Sequence, residues 1–329
     1  MSSLAPALQA FFTDRLITQR SSSPETIAAY RDAFRLLLRF AHQQTGKQPF
    51  ELDIDDLDAP LIGGFLKHLE QDRGNSPRTR NARLGAIHSF YRFAALEHPE
   101  HALTIARVMA IPTKRYERDT LTYLNRDEIK ALLAAPDQST WLGRRDHALL
   151  ILMIQTGVRV SELTGLRIRD VHLGRGPHIR VTGKGRKKRA TTLTTETVQV
   201  MRAWLKERHG QPDEPLFPTR QDRPLSRYTV GVIVAKHATA AAASCVSLTA
   251  KRVTPHTLRH TNAMLLRAKG VDIATIALWL GHERTQTTHI YEHADPALKE
   301  QAIARTAPIG AKPGRYQPSD ALLDFLEAL

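Results

Sequence analysis

Amphipathic helical periodicity dominates the first hundred residues, and this pattern constrains the fold more than any other feature of the sequence. In segment 21–43 a serine run and a proline precede apolar residues that recur every three or four positions. These residues are Ile27, Tyr30, Phe34, Leu37 and Leu38. Segment 76–98 has the same design, with Ser76 as the expected N-cap and Pro77 in the first turn. Its expected buried face consists of Leu84, Ile87 and Tyr91. The pattern predicts a helical domain over residues 1–105.

A second domain is predicted beyond a linker at residues 106–120, which lose periodicity, contain a proline and carry several basic residues. Asn125 and Glu128 then form a capping-box pattern that starts a new helix. A strongly apolar helix follows and should end at Gly157. The sequence "SELTGLRIRDV" predicts another helix after a tight turn. We assign residues 121–307 to this domain.

The sequence "HIRVTGKGRKKRATTL" contains two short extended runs separated by Gly-Lys-Gly, which predicts a β-hairpin. Helical patterns resume after it and continue almost to the last residue. The expected fold class is therefore mainly α (α+β). It consists of a helical first domain and a mostly helical second domain with a small antiparallel β-sheet.

The balance of charges indicates a polyanionic partner. Lys and Arg number 47 against 33 Asp and Glu, which gives a net charge of +14 at pH 7. Nucleic acid is the leading candidate for such a chain, and a merely basic soluble protein is the alternative. The single cysteine, Cys245, excludes an intramolecular disulfide and fits a reducing compartment. A secretory signal and an apolar run of membrane-spanning length are not evident, so we expect a cytoplasmic, nucleoid-associated protein without a membrane partner.

Two groups of basic residues are candidates for DNA contact. Segment 76–98 carries Arg78, Arg80 and Arg83 in its first turns, where acidic residues would suit the helix dipole better. Phosphate contact would explain them, and a solvated surface is the alternative. The second group follows the hairpin turn and consists of Arg186, Lys187, Lys188 and Arg189.

The sequence "TPHTLRHTNAM" places His256 and Arg259 within the first turns of a predicted helix. The amino terminus of a helix is already electropositive, so an imidazole and a guanidinium at that point form a site that suits an anion. A phosphate group is the anion that such donors bind best.

Five short stretches, each weak alone, together resemble the tyrosine recombinase family of phage integrases and Xer-type recombinases. They are "TGVRVSEL", "TGKGRKKR", "HTLRH", "LGH" and "THIYEHAD". The resemblance covers nearly the whole chain and implies a helical DNA-clasping domain followed by a catalytic domain. It implies a catalytic set whose members, in chain order, are Arg159, Lys184, His256, Arg259, His282 and Tyr291. It also implies that Glu162 supports this site from behind.

The family resemblance implies that Tyr291 attacks a DNA phosphodiester and forms a 3′-phosphotyrosyl intermediate, with Arg159 and Arg259 stabilising the negative charge that develops. His256 is the candidate base and Lys184 the candidate acid for the departing 5′ oxygen. Bond energy is retained in the intermediate, so we expect neither a metal nor another cofactor.

Other functions compete with this one. The histidine pairs His256/His260 and His289/His293 have a spacing that can bind zinc, but an arginine between the ligands of the first pair opposes a cation. A type IB topoisomerase uses a similar tyrosine and basic set but reseals its own strand. A non-catalytic DNA-binding protein with the same fold is the third possibility, and the complete residue set disfavours it.

The partners implied by the resemblance are double-stranded DNA with inverted-repeat half-sites and further copies of the chain in a tetramer on DNA. A second recombinase is a further candidate partner. Without DNA we expect a monomer. Residues 308–329 begin as a tether and then predict a short helix with an apolar face of Leu322, Phe325, Leu326 and Leu329. We expect this helix to dock on a neighbouring copy, and docking on its own second domain is the alternative. The segment after Arg305 favours a mobile element as the origin of the chain, and chromosome dimer resolution and phage integration are the alternatives.

Overall fold

The computed structural model describes residues 4–116, 121–183 and 188–281. The chain divides into two compact units, Met1–Asp119 and Thr120–Leu329. Each unit has its own hydrophobic core. The predicted tether and terminal helix, residues 308–329, lie outside the described residues.

The described part of the first unit contains five α-helices: α1 (Leu4–Ala10), α2 (Pro24–Thr45), α3 (Ala59–Gln71), α4 (Pro77–Glu97) and α5 (Ala102–Met109). A π-helical stretch, Phe11–Gln19, continues from α1. Ser23, Asp58 and Ser76 cap α2, α3 and α4, and each accepts a hydrogen bond from the backbone N–H three residues later. These caps satisfy donors that the first turn of a helix leaves unpaired. The predicted N-cap at Ser76 is thereby confirmed.

The core of the first unit is rich in aromatic rings. The rings of Phe34 and Phe90 lie 5.4 Å apart, and Phe11 contacts both. Tyr91 is completely buried, and its hydroxyl donates to the backbone carbonyl of Leu57 at 2.5 Å. The other two residues of the predicted α4 face, Leu84 and Ile87, are also completely buried, so that prediction is confirmed.

The segment predicted as a linker, 106–120, begins inside a helix. Helix α5 continues to Met109, and Val108 is fully buried in the core of the first unit. The Val108 carbonyl also lies 3.1 Å from Nε2 of His88 on α4. Two turns of helix are too few for apolar periodicity to be recognised, which explains the misplaced start of the linker.

The described part of the second unit contains seven α-helices: α6 (Arg126–Ala134), α7 (Trp141–Thr156), α8 (Val160–Gly165), α9 (Thr195–Arg208), α10 (Arg227–Ala241), α11 (Pro255–Ala268) and α12 (Ile273–Leu280). The capping box of α6 is confirmed, because Asn125 accepts from the Glu128 backbone and Glu128 accepts from the Asn125 backbone. The helix predicted in "SELTGLRIRDV" is shorter than expected. It ends at Gly165, and a separate 3-10 turn, Ile168–Asp170, follows.

The predicted hairpin is part of a three-stranded antiparallel sheet. Its strands are β1 (Val171–His172), β2 (His178–Thr182) and β3 (Lys188–Thr192), in the order β1-β2-β3. Val181 lies opposite Arg189 and Thr182 opposite Lys188. Ile179 and Val181 are completely buried and face the core of the second unit. The expected fold class, mainly helical with a small antiparallel sheet, is confirmed; strand β1 was not predicted.

Helix α7 lies at the centre of the second unit and brings distant segments together. It ends at Gly157, which has a φ of +62° and therefore occupies the left-handed region that favours glycine. Asn262 of α11 donates to the carbonyl oxygens of Ile154 and Gln155 in the last turn of α7, at 3.0 and 2.7 Å. These bonds hold the middle of α11 beside the end of α7.

Candidate active site

Arg159 occupies the turn between α7 and α8 and is the N-cap residue of α8. Its Nη1 donates to Oε1 of Glu162 at 3.0 Å, and its Nη2 donates to the backbone carbonyl of Gly281 at 2.9 Å. About a third of the side chain, 32%, remains accessible to solvent. Arg159 is therefore held in one orientation by two partners while part of its guanidinium surface faces outward.

Arg259 lies in the second turn of α11 and is almost completely buried, at 4% exposure. Its Nη1 donates to the carbonyl of Gly157 at 2.6 Å and its Nη2 to the carbonyl of Leu280 at 2.8 Å. The side chain thus joins the end of α7 to the end of α12. Burial of an arginine beside neutral carbonyls costs solvation energy, which is typical of a functional position.

The guanidinium groups of Arg159 and Arg259 are neighbours, because they donate to consecutive carbonyl oxygens, those of Gly281 and Leu280. Carbonyl groups at the end of a helix carry a partial negative charge, which orients both guanidinium groups. Two guanidinium groups are thereby held in one place. The arrangement suits a group that carries charge on two oxygens.

His256 lies at the amino terminus of α11 and is exposed. Thr254 caps this helix by accepting from the backbone N–H of Thr257, which confirms the predicted helix start. One turn of helix separates His256 from the buried Arg259. An imidazole ring and the positive end of the helix dipole are thus placed on the same part of α11.

Glu162 is buried, with 3% of its side chain exposed, and lies behind Arg159. Burial would raise the pKa of its carboxyl. Hydrogen bonds from the Arg189 side chain and the Arg159 backbone, and the charges of both arginines, outweigh burial and lower that pKa. Glu162 is therefore an anion that accepts from the arginine on each side of it.

Arg189 differs from the expectation that it belongs to a DNA-contacting run. Its Nη1 and Nη2 each donate to one carboxylate oxygen of Glu162, both at 2.8 Å, and its side chain is 15% exposed. In β3 the neighbouring Lys188 is exposed, whereas Arg189 lies on the same side as the buried Thr191. Strand alternation is thus the one sequence signal that separates Arg189 from Lys188.

Five predicted site residues lie outside the described residues: Lys184, Arg186, Lys187, His282 and Tyr291. Their neighbours in the chain are described. Thr182 and Lys188 are paired at the end of the β2–β3 ladder, on either side of the connection that contains Lys184. Gly281 ends α12 immediately before His282 in the sequence.

The three arginines predicted to contact DNA on α4 have different surroundings. Arg78 is exposed. Arg80 donates from Nη1 to the carbonyl of Pro112 at 3.0 Å, which ties α4 to the segment after α5. Arg83 is partly buried; burial, followed by the nearby charge of Arg73, lowers its pKa.

A carboxylate and imidazole cluster in the first unit was missed by the sequence analysis. Ligand atoms of Asp53, Asp55 and His101 lie within 4.8 Å of one another. His101 Nδ1 lies 2.8 Å from Asp55 Oδ2, so the groups already bond to each other.

The first predicted histidine pair, His256 and His260, has ring centroids 6.5 Å apart. Residues His289 and His293 lie outside the described part of the chain.

Among the described residues, none of the helices has both the length and the hydropathy needed to cross a membrane.

Comparison with known proteins places the chain in a family. Residues 122–297 match the phage integrase family, and residues 10–98 match the phage integrase N-terminal SAM-like domain. The chain is 52% identical over 328 residues to y4rC, a Sinorhizobium fredii protein described as an integrase/recombinase, with 100% of this chain and 99% of that protein covered. It is 34% identical over 288 residues to the tyrosine recombinase XerC of Pelobacter propionicus, with 86% and 89% covered.

The fold is similar to that of the XerH site-specific recombinase bound to a palindromic difH substrate. The TM-score is 0.67 at 22% sequence identity, with 87% of this chain and 81% of that chain covered. The sequence matches and the two-arginine site lead to one assignment: the chain belongs to the phage integrase family of tyrosine recombinases.

Proposed function

We propose that this recombinase, which breaks and rejoins DNA strands, binds the scissile phosphodiester with Arg159 and Arg259 and attacks it with Tyr291. The observation that carries the proposal is the pair of guanidinium groups oriented by the carbonyls of Gly281 and Leu280. During attack, negative charge grows on the two non-bridging oxygens of the phosphate. Fixed planar donors stabilise that charge more than the charge of the ground state, which lowers the barrier.

The proposed attack exchanges one phosphate ester bond for another. The Tyr291 hydroxyl oxygen forms a bond to phosphorus, and the bond from phosphorus to the 5′ oxygen breaks. The phenol proton passes to His256, whose exposed position at the start of α11 supports this role. Lys184 donates a proton to the departing 5′ oxygen. The products are a 3′-phosphotyrosyl enzyme and a free 5′ hydroxyl, and attack by another strand's hydroxyl reverses the step.

His282 follows Gly281, whose carbonyl accepts from Arg159. We therefore assign to His282 a further hydrogen bond to the phosphate. Glu162 supports the site by holding the backbone N–H and the guanidinium of Arg159. Arg78 and Lys188 are exposed and suit direct phosphate contact. Arg80 suits a structural role as well, because it joins α4 to Pro112.

The proposed DNA substrate contains inverted-repeat half-sites, each bound by one copy of the chain, with four copies assembled for strand exchange. The net charge of +14 supports DNA as the partner, because it favours association with a polyanion. A partner recombinase, docking of residues 308–329 on a neighbouring copy, location at the nucleoid and origin from a mobile element remain predictions.

Topoisomerase activity is the alternative that shares this chemistry. The test is to incubate the purified chain with supercoiled plasmids that either contain or lack a defined inverted-repeat site recovered by footprinting. Strand cleavage confined to the site-containing plasmid supports recombination. Equal relaxation of both plasmids would contradict it and favour a topoisomerase.

A further inference from the structure

We propose that Arg189 is a positioning residue for strand cleavage: by neutralising Glu162 it leaves the positive charge of Arg159 available to the phosphate. This inference rests on the proposed function of Arg159. It gives Arg189 a role different from DNA contact, although the residue belongs to the basic run after the hairpin turn.

The Glu162 carboxylate accepts four hydrogen bonds from two arginines. Arg189 donates to Oε1 and Oε2 at 2.8 Å each. Arg159 donates from Nη1 to Oε1 at 3.0 Å and from its backbone N–H to Oε2 at 2.8 Å. The bidentate partner of the carboxylate is therefore Arg189, and Arg159 contributes a single side-chain bond.

The second arginine changes the net charge of the cluster. Glu162 and Arg159 alone would sum to zero, and the buried carboxylate would compete with a phosphate for the same guanidinium. Arg189 brings the three-residue cluster to a net charge of +1. Because Glu162 is only 3% exposed, solvent screens these charges weakly and the compensation is felt at Arg159.

The position of Arg189 indicates that it acts through Glu162. Its guanidinium lies against Gly281, where an added Cβ would come within 2.8 Å of Nη1. The carbonyl of that same glycine accepts from Arg159. Arg189 therefore contacts both partners of the Arg159 side chain, Glu162 and Gly281.

The test is a charge cycle of Arg189→Gln, Glu162→Gln and the double variant, measured as single-turnover cleavage of a nicked suicide substrate at saturating enzyme. Arg189→Gln should slow cleavage about 10- to 100-fold, the loss typical when a group that orients a reacting residue is removed. Adding Glu162→Gln should restore much of that rate, because the uncompensated carboxylate disappears. Arg189→Lys, which keeps the charge and loses the bidentate geometry, should fall between the wild type and Arg189→Gln.

A second substrate distinguishes a positioning role of Arg189 from a folding defect of the Arg189→Gln variant. A methylphosphonate at the scissile position replaces one charged oxygen by a neutral methyl group and so reduces the need for Arg159. The defect of Arg189→Gln should be several-fold smaller on this substrate than on the phosphodiester. A folding defect would slow both substrates equally, and saturating enzyme removes the effect of a weaker DNA affinity. Thermal melting and half-site binding of each variant serve as controls.

Three outcomes would overturn the inference. Arg189→Gln could show equal defects on both substrates, or its effect could be additive with that of Glu162→Gln. It could also leave the cleavage rate unchanged and reduce the salt slope of DNA binding by about 0.9, which marks a lost phosphate contact. Lys188→Gln removes the same charge from the adjacent exposed position and should change that slope. Arg159→Gln tests the underlying function separately. If its defect also fails to shrink on methylphosphonate, the role of Arg159 is wrong; if it shrinks and that of Arg189→Gln does not, only the present inference fails.

Discussion

Arg159 and Arg259, one hundred residues apart in the chain, donate to consecutive backbone carbonyl oxygens at 2.9 and 2.8 Å. Those carbonyls belong to Gly281 and Leu280, at the end of α12. The last turn of α12 therefore fixes the spacing of the two guanidinium groups. A substitution that shifts this turn should reduce cleavage even though neither arginine is substituted.

Gly157→Ala should destabilise the second unit and disturb Arg259. The residue has a φ of +62°, and an added Cβ would lie 2.6 Å from Cδ2 of Leu280 and 2.8 Å from Oδ1 of Asn262. We expect a loss of about 1–3 kcal/mol in the free energy of unfolding, measured by urea denaturation. Gly231→Ala is the matched control, because it is helical and an added Cβ meets nothing within 4 Å. The control should be stabilised by about 0.5–1 kcal/mol; equal effects of the two substitutions would contradict the account.

Lys184→Ala should slow cleavage of a normal phosphodiester far more than cleavage of a 5′-bridging phosphorothiolate. The sulfur leaving group departs without a proton, so loss of the general acid matters less. Single-turnover rates on the two substrates give the comparison. Equal slowing on both would assign Lys184 to binding alone.

The local features of the fold could be predicted from the sequence because their partners lie within four residues. The cap at Ser76, the capping box of Asn125 and Glu128, and the glycine that ends α7 all depend on neighbouring backbone groups. Helix α5 could not be recognised, since eight residues give too few apolar positions for a period. The sequence motifs also assigned Arg159 and Arg259 to one predicted site. In the structure the two side chains donate to consecutive carbonyl oxygens.

The role of Arg189 could not be predicted, because it depends on a residue 27 positions earlier. In the sequence Arg189 is the last member of a basic run, and the run itself predicts an exposed, DNA-contacting surface. Strand alternation separates Lys188 from Arg189, but only the hydrogen bonds in the structure show that Arg189 pairs with Glu162. A buried partner of opposite charge then decides the function of the arginine.

Neutralising the arginines of α4 should weaken the salt dependence of DNA binding. Arg78→Gln removes an exposed charge and should reduce the slope of log affinity against log salt by about 0.9 on duplex DNA. The combined change at Arg78, Arg80 and Arg83 should reduce it further. Fluorescence anisotropy over a salt series measures the slope. An unchanged slope in the triple variant would show that the first unit does not contact phosphates through α4.

His260 should make the protein less stable in mild acid. Burial, then the charges of His256 and Arg259, lowers the pKa of His260 to about 4, below its ordinary value of 6.5. The unfolded chain therefore binds a proton at this site that the folded chain excludes, and stability falls as pH decreases from about 6.5 towards 4. His260→Asn should show a smaller fall in melting temperature between pH 7 and pH 5 than the wild type. The same substitution at the exposed His209 is the control, and identical falls in the wild type and His260→Asn would refute the prediction.

Covalent capture of DNA by Tyr291 tests the central claim most directly. The wild type and Tyr291→Phe are incubated with a nicked suicide substrate, and the products are separated on a denaturing gel. The phenylalanine keeps the ring but lacks the nucleophile, so half-site binding should survive while the covalent protein–DNA band disappears. The wild type should give that band with its DNA attached through a 3′ phosphate. A covalent band of undiminished intensity in Tyr291→Phe would contradict the assignment of Tyr291 as the nucleophile.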